Sequence, residues 1–518
     1  MTAQKIPVII GVGEIKNASR LKEDAIEPLH LMLSAIKRSA HDATNFRTAE
    51  LIASLDSVSV VASSTWPYKD LPELLSENLG VKPSFKAYSD LKGSAPVQLI
   101  DDTARMIAKG DIEVGVVVGG EAMASLKTFI KTNSYPPPWT RPKTNDVYYA
   151  NNVDMLSGIG EVHKVGVPMH VYAMYENARR AHKGQTPVSN LQESASLYGT
   201  YARIASKHPA SWNFDKPPET AETIGRITKR NRMICFPYPL LMNAFNDVNI
   251  AGACILTSTD LAGRMGISRD KWIFPLGGGR GNDTEDFWNR SNYHSSPAIA
   301  TALEECLSSS GLRKEDIDLF DFYSCFPIVP KLACDHLGIP YSNPPKPITL
   351  LGGLTSFGGA GANYSMHAVA EMVRRLRKLQ GRHEPSHGLI LANGGVLTTE
   401  NAICLSTQPD KSHTPYPLED KTPMQVVVSP ISLGTVEEEA VVETYTVEYD
   451  RHNRPLIGHV VCRLKSNGAR VIANHADATT LEQLASWTEE PIRRSGFLRP
   501  SLVKVEQNLF SFRRDNRL

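Results

Sequence analysis

One succession of residue types occurs twice in this 518-residue chain. A loop of small residues comes first, then an amphipathic helix pattern, then a β-branched or aliphatic run closed by a glycine pair. The first copy is KGSAP (92–96), VQLIDDTARMIAKG (97–110) and VGVVVGG (114–120). The second is FGGAGAN (357–363), SMHAVAEMVRRLRKLQG (365–381) and GLILANGG (388–395). Short apolar runs without polar alternation suit strands buried on both faces. Each copy has a further run of this kind upstream, SVSVVASS (57–64) and DLFDFYSCF (318–326). The repetition predicts a duplicated α/β fold with two similar halves.

Between the copies the character changes. Residues 123–222 carry YPPPWTRP and helical stretches such as HVYAMYENARRAHKG and SNLQESASLYGTYARIASKH, with little strand pattern. This reads as a helical insert, of the kind that covers an active site. PYPLLMNAFNDVNIAGACILTS (237–258) returns the chain to a buried strand, and MTAQKIPVIIGVGEI supplies a first strand. Beyond the polar linker DKSHTPYP (410–417), EEAVVETYTVEYD and LIGHVVCRL alternate like half-buried antiparallel strands. RVIANH offers a third strand and ATTLEQLASW a short helix. The expected division is an N-terminal half over 1–265 including the insert, a C-terminal half over 266–410, and a separate small β-rich domain over 415–518.

Composition narrows the partners. A net charge of +1 gives no footprint for nucleic acid or an acidic membrane surface. No apolar run is long enough to span a membrane. Seven cysteines, with no CxxC pair, fit a reduced compartment better than a disulfide framework. The expected location is the cytoplasm. The final Asn-Arg-Leu is a weak relative of the peroxisomal Ser-Lys-Leu address, which leaves the peroxisome as the alternative. No Cys/His cluster has ligand spacing, and His163 and His170 are too far apart for a one-turn pair, so no metal site is expected. GGGRGNDTEDFW (277–288) contains a glycine-rich turn, but an acidic, aromatic stretch follows where a dinucleotide fingerprint opens a helix.

The duplicated halves, the insert, YSCF (323–326), GGLTSFGGAGANYSMHA (352–368) and ANGG (392–395) together resemble the thiolase superfamily. Within it the chain is most similar to sterol-carrier-type thiolase-like proteins, some of which carry an extra C-terminal domain. The resemblance implies a five-layer α-β-α-β-α core, a coenzyme A thioester as substrate or ligand with no bound cofactor, and a homodimer. It implies a member of the acyltransferase family in lipid metabolism.

The same resemblance implies an altered active site. Ser94 stands where the family has its nucleophilic cysteine. Gly359 stands at the histidine of the Gly-His-Pro loop, Ala392 at the second cysteine, and Tyr323 at the histidine of the His-Asp-Cys-Phe motif. A helix N-terminus alone does not activate a serine hydroxyl, and these motifs supply no base. Cysteine-dependent thiolysis is therefore not expected.

Each candidate has two readings. Ser94 is a weak nucleophile or a helix cap. Tyr323 is an acid/base or oxyanion donor, or a buried tyrosine with a satisfied hydroxyl. Cys325 reads as core rather than reactive, and His367 as packed rather than a base. Gly358, Gly359, Gly361, Asn243, Asn393 and Gly394 are the expected substrate or coenzyme A contacts, although Asn243, Asn246 and Asp247 also suit Asx turns. RRAHKG and TKRNR could meet phosphates, or are solvated surface. Two classes of function follow. One is an enzyme on an acyl thioester, including a retro-aldol carbon–carbon lyase, which needs only a base and a polarised carbonyl. The other is a non-catalytic thioester-binding scaffold.

Overall fold

The computed structural model describes residues 4–144, 156, 158–409, 416–419, 428–431 and 434–513. The first half supplies strands β1 (Pro7–Lys16), β2 (Ser57–Val60), β3 (Phe85–Tyr88) and β4 (Val114–Ala122). After the insert come the short β5 (Met233–Cys235) and β6 (Tyr238–Pro239), then β7 (Asn249–Ser258). The second half supplies β8 (Phe274–Asn282), β9 (Leu319–Phe322), β10 (His387–Gly394) and β11 (Thr399–Ser406). Five more strands follow: β12 (Glu438–Tyr449), β13 (Pro455–Leu464), β14 (Arg470–His475), β15 (Ser495–Pro500) and β16 (Asn508–Ser511).

The two halves share one topology. The first sheet runs β1-β7-β4-β2-β3 and the second β8-β11-β10-β9. In each, two antiparallel pairings are followed by a parallel one: β1/β7, β7/β4 and β4/β2, against β8/β11, β11/β10 and β10/β9. The counterpart of β3 is a proline-bearing segment. Phe320 N donates to Pro347 O and Phe322 N to Ile348 O, so the chain lies along the β9 edge without forming a regular strand.

Glycines on the first strand of each half set how closely a helix sits on the sheet. A Cβ on Gly11 or Gly13 would stand 2.2 Å from a carbonyl oxygen of helix Pro28–Thr44. A Cβ on Gly279 or Gly281 would stand 2.2 and 1.9 Å from carbonyls of helix Pro297–Ser309. GGGRGN, expected as a turn, is therefore part of β8, with glycines demanded by close helix approach rather than by chain reversal.

Between the sheets lie helices Ala95–Lys109 and Tyr364–Leu379, which touch each other and strands of both sheets. These are the helices of the repeated units. Helix, sheet, paired central helices, sheet and helix make the five layers expected. Their interior is one apolar core in which Ile100, Ala104, Ile107, Val369, Val373 and Leu376 are buried.

The C-terminal strands close on themselves. The order β12-β13-β14-β16-β15 returns to β12, and β14 pairs with β16 in parallel. With helix Ala478–Leu484 between β14 and β15, this is the topology of an OB-type five-stranded barrel. The barrel shares its sheet with the rest of the chain. β5 pairs with β12 through Cys235 and Glu448, and Met233 and Phe236 enter the barrel's apolar core. Asn177 and Arg180 of helix Pro168–His182 bond Tyr445 and Glu490 of the barrel. No helix among the described residues is long and apolar enough to cross a membrane. The terminal Asn-Arg-Leu and most of the 410–417 linker lie outside the described residues.

Candidate functional site

Four chain ends meet at one point. β9 delivers Tyr323, whose N–H donates to Leu391 O of β10 at 2.9 Å. β10 ends in Asn393 and Gly394, and β11 begins beside them, so Asn393 faces Glu400 across the ladder. The first central helix begins at Ser94. Two absent side chains allow the convergence. A Cβ on Gly93 would lie 2.6 Å from the Tyr323 hydroxyl and 2.5 Å from Asn393 O. A Cβ on Gly394 would lie 2.5 Å from Ser94 Oγ. The insert closes the group from above. Asn393 Nδ2 donates to the Tyr172 hydroxyl at 2.7 Å, and that hydroxyl donates to Gly395 O at 3.1 Å.

The cluster is buried and incompletely satisfied. Ser94 and Glu400 are 0% exposed and Tyr323 6%. Among the described residues, Ser94 Oγ, Asn393 Oδ1 and both carboxyl oxygens of Glu400 have no hydrogen-bond partner. Buried polar atoms are otherwise nearly always paired, so four around the end of the β10/β11 ladder mark a candidate site. The capping reading of Ser94 is corrected here: it sits at the cap position but in the helical backbone region, and its hydroxyl makes no cap bond.

Burial pushes the Glu400 carboxyl well above the usual carboxylate range, with the Arg290 guanidinium acting in the opposite sense. Arg290 is itself occupied by Val396 O, the Thr398 hydroxyl and the Tyr175 hydroxyl. Burial likewise raises the Tyr323 phenol, and Cys325 and Glu400 raise it further. A phenol held protonated is a hydrogen-bond donor, not a base. Burial pushes the Cys325 thiol up to about 12, which removes the thiolate a nucleophile needs.

Other expected residues serve the scaffold. Gly358 and Gly361 have φ of 114° and 53°, which favour glycine. The space beside the loop is filled by this chain. Added Cβ atoms would meet Val248 Cγ1 at 2.8 Å from Gly358, Asn246 Oδ1 at 2.3 Å from Gly359 and Glu121 Oε1 at 2.3 Å from Gly361. The glycines thus let the side chains of Val248, Asn246 and Glu121 pack against this loop; the idea that they leave room for a thioester is not supported by this packing. Asn243 Nδ2 bonds Pro239 O, closing a local turn. Asp247 pairs with Lys127. His367 is packed as expected, its Nδ1 against Glu14, which also pairs with Arg374.

A cavity of about 650 Å³ lies elsewhere. Six cationic side chains, Lys16, Arg38, Lys207, Arg374, Arg375 and Lys378, line it with Glu14 and Glu371. Its carboxylates are already paired with Arg374 and Arg375, whereas Ser94, Asn393 and Glu400 bring orphaned polar atoms together, which makes their cluster the candidate site.

The family described as thiolase-like protein type 1 additional C-terminal domain matches residues 420–497, most of the barrel. Among solved structures, the chain is similar to a monomeric SCP2-thiolase-like protein type 1 from Mycobacterium smegmatis. The identity is 25% and the TM-score 0.78, over 98% of this chain and 99% of that one. The chain has the thiolase fold and carries the type 1 additional domain. Two further solved structures are similar over a smaller share of the chain. The Ltp2-ChsH2(DUF35) aldolase gives 18% identity and a TM-score of 0.58, over 78% of this chain and 98% of that one. Human mitochondrial 3-ketoacyl-CoA thiolase in complex with CoA gives 16% and 0.55, over 79% and 99%. No curated protein matches the chain. Since the mycobacterial protein is described as monomeric, the expected homodimer finds no support in it.

Within the thiolase fold, sequence reasoning missed Glu400 and Tyr172. Glu400 had a faint signal: an acidic residue at the head of the apolar run NAICLS, a few residues after the ANGG turn. Tyr172 had none, being one of several aromatics on an insert helix. The expectation of no metal constellation also needs correction, because His170, Glu448 and His459 come together where insert and barrel meet.

Proposed function

We propose that this protein cleaves a carbon–carbon bond in a β-hydroxyacyl thioester, by retro-aldol chemistry. The carrying observation is the buried Glu400 carboxyl, without a partner among the described residues and opposite Asn393 on the ladder, near enough for its charge to raise the Tyr323 phenol. The motifs alone offered no base, and Glu400 in its ionised form supplies one, made the stronger by its raised proton affinity. In the proposed step the β-hydroxyl proton passes to Glu400 and the hydroxyl carbon becomes a carbonyl. The Cα–Cβ bond breaks, and its electron pair moves onto the thioester oxygen as an enolate. The Tyr323 hydroxyl donates to that oxygen as charge develops. The proton then returns from Glu400 to the enolate carbon, so the reaction needs no co-reactant.

Coenzyme A as the thioester carrier is supported by relatives of the same fold described in complex with it. Aldol chemistry is supported by one relative described as an aldolase. Ser94 contributes its hydroxyl to substrate positioning, and Asn393 and Gly394 border the substrate. Seven free, buried cysteines support a reducing compartment such as the cytoplasm.

A second reading, a non-catalytic thioester-binding scaffold, draws on the closure of the same cluster, since every member is buried. Calorimetric titration with acyl-CoA and β-hydroxyacyl-CoA esters, followed by product analysis, separates the two. Binding with turnover of the hydroxy ester supports the lyase. Binding of both without turnover supports the scaffold and removes the lyase.

A further inference from the structure

His170 lies in the first turn of the insert helix Pro168–His182, Glu448 near the end of β12, and His459 on β13. On the barrel, Thr446 is the cross-strand partner of His459, so Glu448, two residues on, shares its face. The insert helix brings His170 onto that face. His170 Nε2 is 3.5 Å and His459 Nε2 4.0 Å from the same oxygen, Glu448 Oε2. The two imidazole rings are 4.5 Å apart, and the three donor atoms lie within 4.8 Å of one another.

These groups lack other employment. His170 and His459 are 2% and 0% exposed. Among the described residues, neither ring nitrogen of His170, nor Nε2 of His459, has a hydrogen-bond partner. Two buried imidazole Nε2 atoms without a hydrogen bond beside one carboxylate oxygen are costly without an occupant. We infer that His170, Glu448 and His459 form a binding site for a zinc-class divalent metal ion.

Around a tetrahedral ion with bonds of about 2.0–2.2 Å, donor atoms stand roughly 3.3–3.6 Å apart. The observed 3.5 and 4.0 Å require a contraction of tenths of an ångström at most pairs. Two imidazoles and one carboxylate select zinc or a neighbouring transition metal over calcium or magnesium, which prefer all-oxygen cages. Glu448 is partly exposed, so a fourth position is open to water. Nε2 of His459 is free for metal in the tautomer with its proton on Nδ1. Asn474 Nδ2, which only donates, lies 3.1 Å from that Nδ1 and also reaches His163 O and Gly458 O, so metal binding would replace its contact with His459.

Such an ion would tie the barrel to the helix that carries Tyr172, two residues beyond His170. Tyr172 in turn holds Asn393 and Gly395 O at the candidate site. The additional domain would then position the insert over the site, independently of the reaction performed there.

The test uses the full chain. Protein purified after growth with added zinc is assayed for metal by mass spectrometry, then stripped and titrated with Co²⁺. The expected result is about one ion per chain and the visible bands of tetrahedral Co²⁺ with nitrogen and oxygen ligands. Glu448→Gln and His459→Gln should each weaken Co²⁺ binding at least ~10-fold while retaining cooperative thermal unfolding. Zinc should raise the thermal midpoint of the stripped wild type. Folded wild-type protein with no bound metal, no Co²⁺ bands and no midpoint shift overturns the inference. So do thiolate charge-transfer bands, which would put the metal on cysteines, or unchanged affinity in the variants. Should the variants not fold, the wild-type spectrum and midpoint decide.

Discussion

Asn393 and Glu400 face each other across the β10/β11 ladder, and only one of them finds a partner. Asn393 reaches the Tyr172 hydroxyl, while both oxygens of Glu400 are buried and unbonded. A carboxyl in that position destabilises the fold when ionised, which is a common signature of a working group.

Glu400→Gln should therefore stabilise the protein at neutral and alkaline pH. The folded-state proton affinity of Glu400 is raised, so its contribution to stability is complete below the ordinary value of 4.5. That contribution declines as pH rises from there through the folded value. Thermal midpoints across pH should show the variant gaining on wild type as pH increases. A constant offset would mean that Glu400 does not titrate in this way.

Glu14 has the opposite sign. Burial raises its carboxyl, but the His367 hydrogen bond and charge, with Arg374, outweigh burial and bring it to about 2. Its stabilising contribution is present above 4.5 and lost as pH falls toward 2. Glu14→Gln should cost about 3 kcal/mol near neutrality, because it strands the buried His367 and frees Arg374. The deficit should shrink in acid, as urea unfolding at several pH values would show.

The repeated loop–helix–strand units were legible because each uses local signals: apolar runs, helix periodicity and small-residue loops. The duplicated topology followed from them. The strand identity of GGGRGN was not legible, since its glycines answer to helix Pro297–Ser309 rather than to a turn. Tyr323 could be placed through its motif. The Glu400 carboxyl could not, because its isolation depends on how β11 is covered. His170, Glu448 and His459 were invisible for a similar reason: their spacing along the chain has no bearing on the barrel-to-insert packing that unites them.

Gly361→Val should be strongly destabilising. The residue has φ of 53°, and a Cβ would press on Glu121 Oε1 at 2.3 Å. Glu121 is fixed by Ser64 N and Thr65 N, so it cannot withdraw without leaving those donors unpaired. A loss of about 2–4 kcal/mol is expected in denaturant unfolding. An unchanged midpoint would show that the loop has room after all.

Cys325 should be dispensable. With its thiol held near 12, native protein should resist alkylation there at neutral pH, and Cys325→Ala should keep turnover within a few-fold. Tyr323→Phe should instead lower turnover by roughly 10²–10³, the usual effect of one oxyanion donor, with little change in binding. Rapid labelling of Cys325, or full activity of Tyr323→Phe, would reverse these roles.

The most direct measurement of the central claim is product identification by mass spectrometry after incubation with a β-hydroxyacyl-CoA, alongside the intact mass of the protein. The account predicts a free carbonyl compound and a chain-shortened acyl-CoA from wild type, neither from Glu400→Gln, and no mass added to the protein. An acyl group on Ser94, thiolysis products, or undiminished cleavage by Glu400→Gln would contradict it.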